Sequence, residues 1–274
     1  MKLIGQIMNY LLPLLYLGAV VVYYLIFFNK KKELERYTIP ILIFLISFHG
    51  LSIVFRLIAL RMLPLTTIFD SFSFLAFSLL AVYLVIELSI QNKSTGIFVL
   101  ILAFIFKTIS TFHFKWNIEI NEILANPTYA IHAAMTVIGY TALSLSAIYA
   151  VLYLVQHFKM KRKKFDRLSM QLPPLTYLER MSIHSVFIGI ILMGVGILLG
   201  HIQAHMVLGK FWLSDPKVIV TDLIFLFYLL GYVISQSLKL RGRWMAVISL
   251  TGYTFLLGSA IALVLVSKSF HVFY

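Results

Sequence analysis

Eight histidines and no cysteine set the chemistry open to this 274-residue chain. Neutral imidazole is the commonest protein metal ligand and a usual axial ligand of haem iron. Four of the eight, His132, His201, His205 and His271, fall at or just beyond the ends of long apolar runs. Two imidazoles from different helix ends can approach one iron from its two sides. His201 and His205 are four residues apart, so a helix puts them on one face, a spacing that suits a small metal ion. No glutamate completes a metalloprotease pattern around them, which makes them the weaker metal candidates. A single histidine in an apolar helix is more often a packing or interfacial residue, and that reading stands beside the chemical one at each position. Without cysteine the chain has no disulfide, no thiol relay and no Cys-x-x-Cys-His haem attachment, so it is not itself a c-type cytochrome.

A second constellation lies earlier. His49 is in the middle of an apolar run, and Arg56 follows seven residues on. Two helical turns put both on one face, about 10 Å apart along the axis. They can contact an anionic cofactor, or they can be polar ties between helices. Glu87, Lys107 and Asp222 also fall inside apolar runs, where ionisable groups are costly and face the bundle interior.

The elements that position these groups are membrane helices. The chain is 61% hydrophobic and 12% charged, with a mean hydropathy of +0.96. Soluble domains are typically about 25% charged. Apolar runs of about 20 residues span a bilayer as helices, whereas a barrel would show short alternating segments. Eight spans are expected, near 9–28, 38–60, 72–91, 95–112, 129–156, 183–205, 218–237 and 245–267. The fold class is therefore an all-α polytopic bundle, a single integral membrane domain over 1–274. The N-terminal run is longer than a signal peptide's and lacks a small-x-small cleavage site, so it reads as a retained first span.

Net charge is +13, but the basic residues gather in short loops rather than on a nucleic-acid surface. The loops 29–36, 91–96, 157–182 and 239–243 hold 15 of the 23 Lys and Arg. In an eight-span count these loops share one side, and the positive-inside rule makes it the cytoplasm. Both termini then face outward, as does the hinge "GKFWLSDPK" (209–217).

Particular stretches resemble one family. "IHAAMTVIGYTALSLSAIYAVLYL" (131–154), with His132, Met135, Gly139 and Tyr140 down one helix, is similar to the His-bearing span of the CcsA/CcmC/HemX family of haem-handling cytochrome c assembly proteins. "LPLTTIFDSFSF" (63–74), the segment 178–217 and the closing "SFHVFY" resemble further regions of it. The eight-span layout resembles the CcsA or HemX branch more than the shorter CcmC branch. The family's outer loop reads Trp-Gly-x-Tyr-Trp-x-Trp-Asp-Pro-Lys-Glu. Here Gly209, Phe211, Trp212, Asp215, Pro216 and Lys217 keep the pattern, while Leu208, Ser214 and Val218 replace two Trp and the Glu. The synthetase-type members' His in the following span has no counterpart in "FYLLGYVISQSLKLRGR".

The resemblance implies transiently bound haem b on the outer face, ligated by His132 and His271. It implies Phe211 and Trp212 against the porphyrin, and Lys210 and Lys217 near its propionates. Asp215 either belongs to that site or caps the next helix before Pro216. It also implies a ResB/CcsB-type membrane partner and an apocytochrome c acceptor, in the cytoplasmic membrane of a bacterium. In a split synthetase the reaction belongs to the complex, so whether this chain is an enzyme stays open. A HemX-like role in control of haem synthesis is the alternative, favoured by the altered loop and the missing inner His. A small-solute transporter, lined by Arg56, Glu87, Lys107 and Asp222, is a third reading, and no internal repeat speaks for it.

Overall fold

In the computed structural model the described residues are 2–61, 63–90, 93–116, 127–164, 166–208 and 215–266, and they hold helices without a strand. The long helices are α1 (Lys2–Asn29), α2 (Thr38–Leu60), α3 (Ile68–Ile90), α4 (Gly96–Phe112), α5 (Pro127–Lys161), α7 (Leu175–Leu208), α8 (Pro216–Ser237) and α9 (Arg243–Val266). A 3-10 turn (Lys32–Tyr37) precedes α2, and a short helix, α6 (Arg167–Gln171), precedes α7. Among the described residues six helices are long and apolar enough to cross a membrane, and Gly96–Phe112 is a shorter apolar helix. The protein is an integral membrane protein built of helices.

The helices outrun the apolar windows that announce them. α3 begins at Ile68 rather than 72, α5 covers Pro127–Lys161 rather than 129–156, and α7 covers Leu175–Leu208 rather than 183–205. The physical reason is simple. Apolarity ends where lipid ends, but the i to i+4 hydrogen-bond ladder continues until a cap or a proline stops it.

The chain gathers into two compact units, residues 1–121 with 165–173, and residues 122–164 with 174–274. In the first unit α4 packs on α3 and α1, and α2 packs on α1 and α3. α1 shows how such a helix is written. Leu3, Ile7, Tyr10, Leu14, Leu17, Val21 and Tyr24 form an exposed apolar stripe at helical spacing. Met8, Leu12, Tyr16, Ala19, Tyr23 and Phe27 form the buried one. Both faces are apolar because one meets lipid and the other meets protein.

In the second unit α5 packs along α7, and α9 packs against α5, α7 and α8. The core joins Leu143, Ala147, Val186, Ile190, Met193, Tyr228 and Tyr253. Buried hydroxyls bind helices together there: Ser146 Oγ is 2.7 Å from Ser249 Oγ and donates to Ser182 O at 2.9 Å.

Gly242, between α8 and α9, has φ +64°, and a Cβ there would collide with the Tyr153 hydroxyl. Its N–H donates to Glu179 Oε1 at 2.6 Å. Four other residues with positive φ are basic rather than glycine: Lys30, Arg61, Lys163 and Lys239. All four follow or close a long helix. At Lys163 and Lys239 the end is a Schellman motif. Lys163 and Lys164 N–H donate to Met160 and Lys159 carbonyls, and Lys239 and Leu240 N–H donate to Gln236 and Ser235 carbonyls.

Candidate functional site

Pro127 opens α5 where its missing N–H costs nothing. His132 lies in the second turn. Its neighbour across the interface is α7, which comes unusually close. A Cβ at Gly139 would lie 2.8 Å from Met193 N, one at Gly189 would lie 2.7 Å from Leu143 Cδ2, and one at Gly196 would strike Thr136 Oγ1. Small residues allow this approach, which in lipid supplies packing that a hydrophobic driving force cannot.

The close seam fixes His132. A Cβ at Gly200 would lie 2.6 Å from His132 Cε1 and 2.8 Å from its Nδ1, so the ring rests against a glycine that leaves room for it. His132 Nδ1 is 2.5 Å from Gly196 O. A carbonyl only accepts, so Nδ1 carries the proton and donates. The neutral ring then keeps its lone pair on Nε2. This is the arrangement found in metal-ligating histidines, whose other ring nitrogen donates to a carbonyl or carboxylate and fixes the tautomer. The ring is partly buried, and Tyr129 lies with its centroid 6.0 Å away. The donor set therefore fits an axial ligand to haem iron.

A family model described as "Cytochrome C assembly protein" matches residues 65–271. The chain belongs to the cytochrome c assembly protein family. Its relatives include Protein HemX of Brevibacillus brevis, 26% identical over 230 residues that make up 84% of each chain. Protein HemX of Bacillus subtilis (strain 168) is 22% identical over 231 residues, again 84% of each. Cytochrome c biogenesis protein CcsA of Chlorella vulgaris is 25% identical over 215 residues, 65% of this chain and 68% of that protein.

The other residues singled out by the family's pattern are placed as follows. Asp215 is buried just before Pro216 opens α8, and its carbonyl accepts from Ile219 N–H at 3.0 Å. Lys210, Phe211, Trp212 and His271 lie outside the described residues, as does the side chain of Lys217. His201 Nε2 is 3.2 Å from Asp222 Oδ2, linking α7 to α8, with both side chains about a quarter exposed. His205 is exposed in the last turn of α7. Among the described residues no group of three or more His, Cys, Asp or Glu gathers around a metal position.

His49 and Arg56 belong to the first unit, and both are buried on one face of α2 with Leu42 and Leu45. Each has its own partners. His49 Nδ1 is 2.7 Å from Tyr16 Oη and its Nε2 is 2.8 Å from Ser73 Oγ, so it bridges α1, α2 and α3. Arg56 Nε donates to Asp70 Oδ1 at 2.5 Å, its guanidinium lies 4.6 Å from the Phe69 ring centroid, and Nη1 donates to Lys115 O at 3.1 Å. Asp70 also joins a capping box: Thr67 N–H donates to Asp70 Oδ2 at 3.2 Å, and Asp70 N–H to Thr67 Oγ1 at 3.1 Å. Glu87 accepts from the Tyr23 and Thr38 hydroxyls, and Lys107 Nζ donates to Asn9 Oδ1 at 2.9 Å.

Four residues escape a reading by residue type alone. Asp70 is announced by the spacing Thr67-x-x-Asp70, a capping signature. Gly196 and Gly200, which hold His132, are announced only by small-residue spacing along α7. Gln203, buried on the same helix, carries no motif at all.

Proposed function

We propose that this chain binds haem b reversibly at the outer end of α5 and presents it to an apocytochrome c. His132 and His271 are the axial ligands, and a ResB/CcsB-type membrane protein is the partner. The observation that carries this is the fixed tautomer of His132. With Nδ1–H donating to Gly196 O, the ring is oriented and Nε2 is the acceptor nitrogen, the form that ligates iron. When bound, haem would offer vinyl groups to the acceptor's thiols.

The chain's own work is positioning. His132 and His271 hold the iron. Phe211 and Trp212 cover the porphyrin and exclude water, while Lys210 and Lys217 meet its carboxylates. Asp215 sets the start of α8 behind that hinge. His49 and Arg56 were open to a cofactor contact, but their filled hydrogen bonds support the role of helix ties. Eight long helices, six of them of span length and apolarity, support eight spans. The Lys and Arg gathered in four loops support a cytoplasmic side for those loops in a bacterial cell, with both termini outside. Thiol reduction must come from another protein, because this one has no cysteine.

A HemX-like role in control of haem synthesis is the second reading. It is favoured by the coverage of the two HemX relatives, 84% of each chain, and by Leu208, Ser214 and Val218 in the altered loop. Both readings place haem at His132, and they part over the partner.

The test is the visible spectrum of the detergent-purified protein supplied with haem, for wild type, His132→Ala, His271→Ala and the double change. A haem spectrum in wild type that each single change weakens is expected. Equal binding by all four folded proteins would make the histidines structural. Co-purification with a ResB-like protein then favours assembly, and its absence favours regulation.

A further inference from the structure

Gln203 is the one described residue whose side chain buries both an amide oxygen and an amide nitrogen without a partner for either. It is 6% exposed. Buried amides are nearly always hydrogen-bonded, because the bonds given up to water must be replaced.

Its place in the fold says what it faces. Gly189 packs on Leu143, Gly139 on Met193, Gly196 on Thr136 and Gly200 on His132. Each turn gained along α7 is thus a turn lost along α5. Gln203 is three residues past Gly200, about 4.5 Å further along the axis. The register brings it opposite the first turn of α5, just beyond His132, where Tyr129 and Ala130 are buried. Packing there does not call for an amide, since leucine or methionine would cover the same turn and leave nothing unpaired.

We propose that Gln203 is a ligand-contacting residue of the porphyrin site, its Nε2–H donating to a carboxylate of the bound porphyrin. The assignment rests on the haem reading above. A neutral amide suits a carrier that must also stand empty. It can donate to a carboxylate when the site is filled, and it leaves no uncompensated charge in lipid when the site is vacant. The same contact makes the site selective for porphyrins whose propionates are free.

The test titrates full-length wild type, Gln203→Leu and Gln203→Met in detergent with haem and with haem dimethyl ester. Soret absorbance is followed, and thermal unfolding is measured without ligand. Wild type is expected to bind haem about ten-fold more tightly than either variant, the worth of one hydrogen bond to a charged group. All three are expected to bind the ester equally. The ligand-free variants are expected to be at least as heat-stable as wild type, because they lose an unpartnered amide. Equal haem affinity across the three proteins overturns the proposal, as does an equal drop for haem and ester. Loss of heat stability in both variants assigns Gln203 to the fold and overturns it too. Failure of the haem reading shows separately, as wild-type binding that His132→Ala leaves unchanged.

Discussion

The two compact units differ in what partners their buried polar groups. In the first, the charged groups are closed off by side chains chosen for them. Arg56 has Asp70, Glu87 has Tyr23 and Thr38, His49 has Tyr16 and Ser73, and Lys107 has Asn9. In the second, hydroxyls and glycines bring helices together, and one polar side chain at the end of the α5–α7 seam, Gln203, is left with capacity to spare. His132 uses a backbone carbonyl for one nitrogen, and Gln203 uses nothing. Paired charges build a scaffold, because removing either partner strands the other in lipid. Groups with capacity left over are where a ligand can bind with gain.

The contrast breaks most readily at Asp70. Asp70→Leu leaves the Arg56 guanidinium buried and unpaired, and is expected to cost roughly 3–5 kcal/mol in the folding of the first unit. Thermal unfolding in detergent measures it, and a variant as stable as wild type would mean that the pair is not structural.

Gly200→Ala comes next. Its Cβ must displace the His132 ring, at a cost of about 1–3 kcal/mol for overpacking, and the haem spectrum is expected to weaken with it. Gly258→Ala is the control, because a Cβ there meets nothing within 4 Å. Equal spectra for both variants would detach the glycine from the site.

Tyr16→Phe removes one of His49's two hydroxyl partners. A loss of about 1–2 kcal/mol in stability with an unchanged haem titration is expected. A changed titration would return His49 to the list of cofactor contacts.

The smallest effect belongs to Asp222→Asn. The His201–Asp222 contact is partly exposed, so a loss below about 1 kcal/mol is expected, read from the same unfolding curves.

Much of the fold was legible because lipid imposes one rule, an apolar run long enough to span. The register of helix against helix was not, because it is set by residues that look inert, such as Gly139 and Gly196. The histidines were legible by type. What holds His132 was not, since a backbone carbonyl carries no residue signature. Helical spacing put His49 and Arg56 on one face, correctly. It was silent on their partners, which come from α1, from the start of α3 and from the backbone after α4. His201 shows the same limit. Spacing puts it on one face with His205, and says nothing of Asp222 on the next helix, 3.2 Å from its ring.

The basic residues that end helices with positive φ carry a consequence for how the chain is made. A left-handed backbone is unfavourable by roughly 1–2 kcal/mol for any residue with a Cβ, and glycine would relieve it. Yet Lys30, Arg61, Lys163 and Lys239 stand there, and a cation beside the last carbonyls offsets part of that strain through the helix dipole. At Lys30, Lys163 and Lys239 the charge on the turn also belongs to the basic loops that the positive-inside rule reads, whereas Arg61 lies outside those loops. The stop is therefore both a conformational full stop and an address label. A glycine at Lys30, Lys163 or Lys239 would make a more relaxed protein from a chain with less to tell it which way to face.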